Sequence, residues 1–414
     1  MSDRYLTRRG TAADGDQLEQ LFDTVFHPEK VGEFARTVFD HFPGLDPENW
    51  FFAEERDTGK LVSGFLLNPW TLTLEGVPLK AAEMAIVGTL EEHRGQGLMR
   101  RLNAEFDQAL DEEGYHLAMI QGIPGFYQQF GYRYALPLEN HVNVPFHVIA
   151  DRKEDEAEAY TIRLAGLDDI PLLLEHDETY RASFSVAVRR DEEVWRYLLT
   201  HSRETEYGSE FWLMEQVGGA ERFYFRVPGQ GFGKGLIVSE VSEAIHMKAM
   251  VELLRFCRDR ALERDKPYVR LNVHNDSAPG RMAIHLGAEA GQPYAWQIKI
   301  PDAARLLRHI GPVLEARLQA SPCAGYSGVL QVNLYRRKVD LVWNEGSLVG
   351  VRPGGDECDA GFAVPDDLFP PLCLGHRSWR ELRHLRPDVM VGGEGALLVE
   401  ALFPPRVSWI HEQY

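Results

Sequence analysis

The spacing of apolar and polar positions in the first third of the chain predicts a mixed α/β domain. Apolar residues recur with helical spacing in residues 18–26 and again in residues 31–42. Shorter apolar runs, separated by turn residues such as Glu75-Gly76, predict strands at residues 50–54, 61–67, 72–79 and 84–90. The last of these runs is bounded by charge, as expected of a strand buried on both faces.

A glycine loop and a helix follow the strand at residues 84–90. Gly95 and Gly97 allow a tight turn, and the helix beginning near Leu98 has free amides and the positive end of its dipole in its first turn. This junction predicts an anion site for a phosphate or pyrophosphate. The dinucleotide pattern Gly-x-Gly-x-x-Gly fails because position 100 is Arg, and no Gly-Lys-Ser/Thr follows for a P-loop.

The middle of the chain repeats this order of elements. Tyr160-Thr-Ile-Arg-Leu begins it as Tyr5-Leu-Thr-Arg-Arg begins the first part, and a strand at 235–241, a helix at 244–262 and a strand at 268–273 follow. The loop at residues 242–247 has no glycine pair and contains Glu243. We therefore expect a degenerate copy that binds no cofactor.

From Pro301 the pattern changes again, which predicts a third unit. An apolar helix at residues 304–314 precedes alternating strands at residues 328–334 and 338–343. The segment at residues 364–382 resembles the helix-turn-helix end of sterol-carrier-protein-like domains. In a chain of this kind, such an apolar interior is more often plain core than a lipid tunnel.

Length and charge narrow the class of protein. A chain of 414 residues suggests two or three domains, and its net charge of -19 disfavours nucleic acid and anionic membranes while favouring cationic small molecules or basic peptides. No run is apolar enough to span a bilayer and the N-terminus has no signal-peptide core, so we expect a cytoplasmic protein. Four scattered cysteines without Cys-x-x-Cys spacing predict no metal site.

The loop Glu92-His-Arg-Gly-Gln-Gly resembles the acetyl-CoA loop of the GNAT acetyltransferases, Gln/Arg-x-x-Gly-x-Gly/Ala. The sequence departs from that pattern at Glu92, which affects a side-chain contact but not the backbone cradle. The resemblance implies that acetyl-CoA is the co-substrate and that the strand backbone orients its pantetheine arm. The implied cofactor-binding residues are Val87, Gly88, Thr89, His93, Arg94, Gly95, Gln96, Gly97, Leu98, Met99 and Arg100.

Over its whole length the chain resembles the Eis-type (enhanced intracellular survival) acetyltransferases. The resemblance implies an α+β, mixed α/β fold with tandem GNAT units, the second degenerate, followed by a sterol-carrier-protein-like domain. The implied domains are residues 1–150, 151–300 and 301–414. It also implies a homo-oligomer, in this family a hexamer.

The same resemblance supplies candidates for proton transfer. Tyr127 lies in Gly125-Phe-Tyr-Gln-Gln-Phe-Gly-Tyr, which resembles the family motif whose first Tyr is the general acid. In Eis-like enzymes the C-terminal carboxylate is the general base, and here that group belongs to Tyr414. Glu83 on the cofactor strand is the alternative base, acting through water, and His411 and Glu412 are lesser candidates.

The sequence therefore predicts an N-acetyltransferase that moves the acetyl group of acetyl-CoA directly to an amine in a ternary complex. No Ser/His/Asp or Cys/His arrangement suggests an acyl-enzyme. The expected acceptor is an aminoglycoside-like, polyamine-like or lysine-like cation. Two alternatives remain: a protein that senses acyl-CoA without turnover, and a carrier of small apolar ligands.

Overall fold

The computed structural model describes residues 4–231, 233–356, 358–393 and 395–414. Apolar faces account for the elements of the first unit: Leu18, Leu21 and Phe22 are buried on the first helix. The elements of this unit are β1 (Tyr5–Arg9), α1 (Gly15–Phe26), α2 (Val31–His41), β2 (Trp50–Glu55), β3 (Lys60–Leu74), β4 (Val77–Thr89), α3 (Leu98–Glu112), β5 (Leu117–Ile120), β6 (Arg133–Glu139) and β7 (Val142–Val144).

The first unit differs from the predicted elements in two places. The turn at Glu75-Gly76 is confirmed, since both residues have positive φ, but the strands on either side run unbroken as β3 and β4. No separate strand at residues 72–79 exists, because that range spans the turn of one long hairpin. The order of elements in the first unit also predicts a helix in the aromatic segment after Gly125, but this segment forms only a 3₁₀ turn, Tyr127–Phe130.

The second unit resembles the first in the order of its elements, but it adds a short strand between its first two helices and a further helix near its end. Its elements are β8 (Tyr160–Leu164), α4 (Ile170–Ser183), β9 (Val186–Val188), α5 (Glu192–Leu199), β10 (Ser209–Gln216), β11 (Arg222–Pro228), β12 (Leu236–Val238), β13 (Glu240–Val241), α6 (Met247–Glu263), β14 (Val269–Leu271), α7 (Ala278–His285), β15 (Glu289–Ala290) and β16 (Tyr294–Lys299).

The two halves exchange strands. The largest sheet has the order β1-β2-β3-β4-β5-β16-β6, with β9 beside the end of β3, so β16 from the second unit lies next to β5. In return β7 lies next to β14 in the sheet β12-β14-β7-β15. The remaining strands of the second unit form the sheet β13-β11-β10-β8. Residue 150 is thus a boundary between two sequence patterns but not between two sheets, because strands from both sides of it pair in the same sheet.

The third unit is a five-stranded sheet with helices against it. The helix predicted at residues 304–314 is divided, because Gly311-Pro312 starts a new one. The elements are α8 (Ala303–His309), α9 (Gly311–Gln319), β17 (Gly328–Asn333), β18 (Lys338–Asn344), β19 (Ser347–Pro353), β20 (Ala360–Ala363), α10 (Phe369–Cys373), α11 (Trp379–Leu385), β21 (Met390–Val391) and α12 (Gly395–Leu402).

Residues 403–414 follow α12 without regular secondary structure, yet most of their side chains from Ser408 onward are buried. This segment, called the tail below, leaves the third unit and passes between the first two. Within the described residues, no helix is long and apolar enough to cross a membrane. The described part of the chain also holds no cluster of three or more His, Cys, Asp or Glu side chains suited to a metal ion.

Candidate active site

The parallel strands β4 and β5 separate within the first sheet and leave an opening. They pair only from Ala81 to Glu83, opposite Leu117 to Met119, although β4 continues to Thr89. A β-bulge causes the divergence: Ile86 has φ 50, and the register with β3 shifts there. Beyond Glu83, the edge of β4 that faces β5 pairs with no strand of the described chain. This gap is called the first opening.

The loop after β4 presents main-chain amides to solvent. Gly95 and Gly97 both have φ +74, and a Cβ built on either would meet no atom within 4 Å. Gly97 precedes α3 without a side-chain cap. Among the described residues, the amides from Gly95 to Met99 have no hydrogen-bond acceptor, and the first that does is Arg100. A phosphate group fits this set of donors at a helix start.

The charged side chains predicted to assist this loop take different positions. His93 is buried, and its Nδ1 lies 3.0 Å from the Tyr5 hydroxyl, so it packs into the core. Arg94 is exposed, and its Nε donates to the Thr89 carbonyl at 3.2 Å. Arg100 is exposed on α3, and Glu92 is exposed too. The basic side chains on the solvent side of the loop are therefore Arg94 and Arg100.

The hydrophobic positions of the loop anchor it. Leu98 is buried against the first core, and Met99 is half-buried with its sulfur 3.9 Å from the Ser63 hydroxyl. Ser63 also donates to the Gly88 carbonyl on β4 at 3.1 Å. These contacts fix α3 relative to β4 while the intervening loop stays exposed.

Tyr127 lies just beyond the carboxyl end of β5. A Cβ on Gly122 would come within 2.2 Å of the Tyr127 ring, so only glycine allows this approach. Phe126 and Tyr132 contact the ring edge-to-face. The residue is 6% exposed, and burial raises the pKa of its phenol. The phenol is therefore a proton donor, not a phenolate, at neutral pH.

Glu83 occupies the point where β4 and β5 part. It is 2% exposed, opposite the fully buried Asn68 on β3. Burial raises the pKa of Glu83 to about 8, and the neighbouring charge of Glu412 acts in the same direction. A hydrogen bond from Tyr414 partly offsets these effects. A carboxyl with this pKa is suited to proton transfer near neutral pH.

The tail ends beside Glu83. The Tyr414 hydroxyl donates to Glu83 Oε2 at 2.7 Å, joining residues 331 positions apart. Gln121, at the end of β5, donates from Nε2 to Glu412 Oε1 at 2.9 Å. The main-chain carbonyl oxygen of Tyr414 accepts from Arg226 Nη2 at 2.6 Å. Tyr127 and Tyr414 pack against the same hydrophobic cluster.

The residues that hold the tail are not among those predicted from the sequence. Arg226 and Glu240 are each 1% exposed and form an ion pair at 2.9 Å, and Arg190, also buried, pairs with the same Glu240 at 2.7 Å. A signal for them exists in the sequence. Arg226 interrupts the apolar run at residues 223–227, and Glu240 interrupts the run at residues 236–241. A charge inside an apolar strand marks a buried partner elsewhere.

Comparison with known proteins identifies relatives of the part of the chain that contains β4, the loop and β5. Residues 7–135 match the acetyltransferase (GNAT) domain family. The chain is 33% identical over 79 residues to the uncharacterized N-acetyltransferase YhbS of Escherichia coli, which is 19% of this chain and 46% of that protein. The chain thus spans about half the length of the curated relatives it matches.

Solved structures share the fold of the whole chain. A probable N-acyltransferase from Enterococcus faecalis, described as a conserved protein of unknown function, has a TM-score of 0.72 at 13% identity, covering 99% of both chains. Eis1 from Mycobacterium abscessus has a TM-score of 0.63 at 16% identity, also covering 99% of both. Residues 7–135 therefore form a segment that matches the GNAT acetyltransferase domain family, within a whole-chain fold that resembles those of Eis1 and of a GCN5-related N-acetyltransferase from Anabaena variabilis.

Proposed function

We propose that this protein transfers the acetyl group of acetyl-CoA directly to the amine of a cationic acceptor. The observation that carries the proposal is the first opening, where a buried carboxyl of raised pKa lies on β4 and free amides lie in the loop that follows this strand. Both match the requirements of acyl transfer from a phosphate-bearing thioester.

The cradle for acetyl-CoA is made of main chain. The amides from Gly95 to Met99 would hold the pyrophosphate, with Arg94 and Arg100 as exposed cations beside it. The unpaired edge of β4 from Val87 to Thr89 would hold the pantetheine arm, as a strand holds its neighbour. Acetyl-CoA supplies an activated acetyl group as its thioester.

The proposed reaction needs one proton acceptor and one proton donor. The amine nitrogen forms a bond to the thioester carbonyl carbon, and the carbon–sulfur bond breaks with its electron pair going to sulfur. Glu83 takes the proton that the amine loses, directly or through water, and Tyr127 donates a proton to the thiolate. Both side chains flank the point at which β4 and β5 part.

The contacts favour Glu83 over the main-chain end of Tyr414 as the base. Arg226 donates to the main-chain oxygen of Tyr414, and the positive charge of a guanidinium beside an oxygen lowers the basicity of that oxygen. Glu83, by contrast, is buried among an amide, a phenol and the Glu412 carboxylate. The role of the terminal carboxylate of Tyr414 nevertheless stays a prediction with its own test.

The proposed acceptor is a cation because carboxylates and aromatic rings meet beside the base. Glu412 is half-buried near Glu83, and the Phe34 ring lies 5.2 Å from Tyr414 and 5.3 Å from Tyr207. Aromatic faces and carboxylates both attract ammonium groups. Aminoglycoside-like, polyamine-like and lysine-like amines all fit this description. The predicted hexamer has no bearing on this chemistry and stays a prediction.

Two measurements test the proposed function. Calorimetry should detect one acetyl-CoA per chain, and a thiol-release assay over a panel of polyamines, aminoglycosides and lysine peptides should show turnover with at least one cation. Binding of acetyl-CoA without release of thiol from any amine would instead support a sensor of acyl-CoA. Absence of binding would contradict the proposal itself.

A one-residue extension after Tyr414 separates the two proposed bases. If Glu83 is the base, the extended protein keeps turnover while Glu83→Gln loses it. If the terminal carboxylate is the base, the extension alone abolishes turnover. Both proteins should bind acetyl-CoA with the affinity of the wild type, because neither change touches the loop at residues 94–100.

A further inference from the structure

The second unit contains an opening that corresponds to the first. Its parallel strands β12 and β14 pair only to Val238 and Leu271, and the chain after β12 then turns to pair with β11 as β13. Glu240 on β13 and His274 beyond β14 therefore lie on the two sides of a gap. This gap is called the second opening.

The tail fills the second opening. His411 Nδ1 lies 3.5 Å from Glu240 Oε2, and the Trp409 ring lies 5.9 Å from the His274 ring. Tyr180 on α4 stacks on the His411 ring at 3.8 Å, donates to the Trp409 carbonyl at 2.5 Å and accepts from the His411 amide at 3.2 Å. The same phenol accepts from Val188 on β9.

Successive residues of the tail face different units. Trp409 and His411 contact the second opening, whereas Glu412 and Tyr414 contact Gln121 and Glu83 of the first. The tail thus connects both openings over six residues.

Buried arginines fix the main chain of the tail. Arg226 donates to the carbonyls of Glu412 at 3.0 Å and Tyr414 at 2.6 Å, while its Nε donates to Ser209. Arg190 also donates to the Glu412 carbonyl, and both arginines bind Glu240. Buried charges arranged in this way tolerate little displacement, because each donor has a fixed partner.

We propose that the second opening is the receptor for the chain's own tail, and that Arg226 and Tyr180 are positioning residues that set the Tyr414 phenol on Glu83. The role of Tyr414 at Glu83 rests on the proposed function. The docking of the tail does not. The degenerate unit would then hold a peptide where the first unit holds a cofactor.

Hydrogen–deuterium exchange of the full chain tests the docking without any assay of activity. Arg226→Lys keeps a buried charge but loses the guanidinium fork, and Tyr180→Phe keeps the ring but loses the phenol. In both variants we expect amides of residues 408–414 to exchange at least about tenfold faster, because fixed partners are lost. The controls are Arg222→Lys, exposed on β11, and Tyr197→Phe, whose buried hydroxyl has no partner among the described residues.

Kinetics test the positioning role. We expect kcat to fall about tenfold in Arg226→Lys and in Tyr180→Phe, with the KM for acetyl-CoA unchanged, and neither change should add to the loss in Tyr414→Phe. The ascending limb of the pH–rate profile, which follows the ionisation of Glu83, should move to higher pH in all three variants, because a donor to Glu83 is lost while Glu412 remains.

The outcomes separate the two proposals. Unchanged exchange of residues 408–414 in both variants would overturn the receptor. Faster exchange with kcat losses that multiply with Tyr414→Phe would overturn positioning through Tyr414. If the wild type released no thiol with any amine, the proposed function would fail, while the exchange data would still decide where the tail binds.

Discussion

The first and second openings begin alike and end differently. In each, a pair of parallel strands separates after three paired residues, and a helix lies between the two strands in the chain. At the first, Gly97 precedes α3 in the left-handed conformation and the amides stay free. At the second, His246 precedes α6 in an extended conformation, and its Nδ1 accepts from the Ala249 amide at 3.3 Å.

The difference teaches that diverging strands do not by themselves make a cofactor site. The loop of the second opening uses its groups internally: Ser242 bonds to both main-chain groups of Tyr224, and Glu243 accepts from the Ala278 amide. This loop also lacks the pair of glycines that, in the first opening, turns the chain and leaves the first amides of the helix free. These contacts agree with the predicted absence of a cofactor there, which stays a prediction that binding stoichiometry can test.

The largest expected effect concerns Glu83, whose position at the end of strand pairing is taken by Val238 in the second opening. Glu83→Gln should lower kcat by about 10³-fold, because an amide cannot accept the proton of the amine. The wild-type rate should rise with pH through about 8, where Glu83 ionises, and the variant should lose that limb. A pH–rate profile with saturating acetyl-CoA measures both. An unchanged limb in the variant would assign the base elsewhere.

Glu83→Gln should also change how the free energy of unfolding depends on pH. Burial raises the pKa of Glu83 from 4.5 to about 8, so between these values the folded protein keeps a proton that the unfolded chain releases. The free energy of unfolding therefore falls as pH rises through this window. Glu83→Gln should show a smaller fall, which denaturant titrations at pH 5 and pH 8 would detect.

Tyr127→Phe should lower kcat by about 10²-fold, at the lower end for lost acid catalysis, because a thiolate is a weakly basic leaving group. Tyr132→Phe is the matched control. Tyr132 is buried, contacts the Tyr127 ring, and its hydroxyl has no partner in the described part of the chain. Steady-state kinetics should separate the two, whereas equal losses would indicate a packing role only.

Gly97→Val should weaken acetyl-CoA binding by about tenfold or more, since a β-branched residue at φ +74 costs about 1–2 kcal/mol and displaces the free amides. Gly218→Val is the control, because Gly218 has φ +70 in the turn before β11 and equally open surroundings. Calorimetry should find lower affinity only at Gly97. Melting curves should show similar destabilisation of both variants.

The smallest expected effect lies at the second opening. His246→Ala removes the cap of α6 and should cost about 1 kcal/mol of stability. It should not create a second acetyl-CoA site, because the tail and the Glu243 contact remain. Calorimetry should give one acetyl-CoA per chain for both proteins. A second binding event in the variant would mean that the cap alone distinguishes the openings.

The sequence pattern predicted much of the fold in the first unit. The turn at Glu75-Gly76, the strand before Gly95 and the helix start at Leu98 were all predicted, because each depends on neighbouring residues. The continuous length of β3 was missed because Pro69 interrupts the apolar pattern inside that strand. The division at Gly311-Pro312 was missed because the predicted helix is apolar on both sides of it. Exchanged strands leave no local pattern at all.

Some features of the candidate site were likewise predictable from the sequence, and others were not. By itself the sequence determined the glycine loop, the free helix start and the position of Tyr127 after β5, since turn angles and open amides follow from nearby residues. Only the tertiary structure decided that His93 faces the core, that Glu83 has a raised pKa, and that the Tyr414 hydroxyl contacts Glu83. Burial and contact between residues 331 positions apart depend on the packing of three units, which local pattern does not encode.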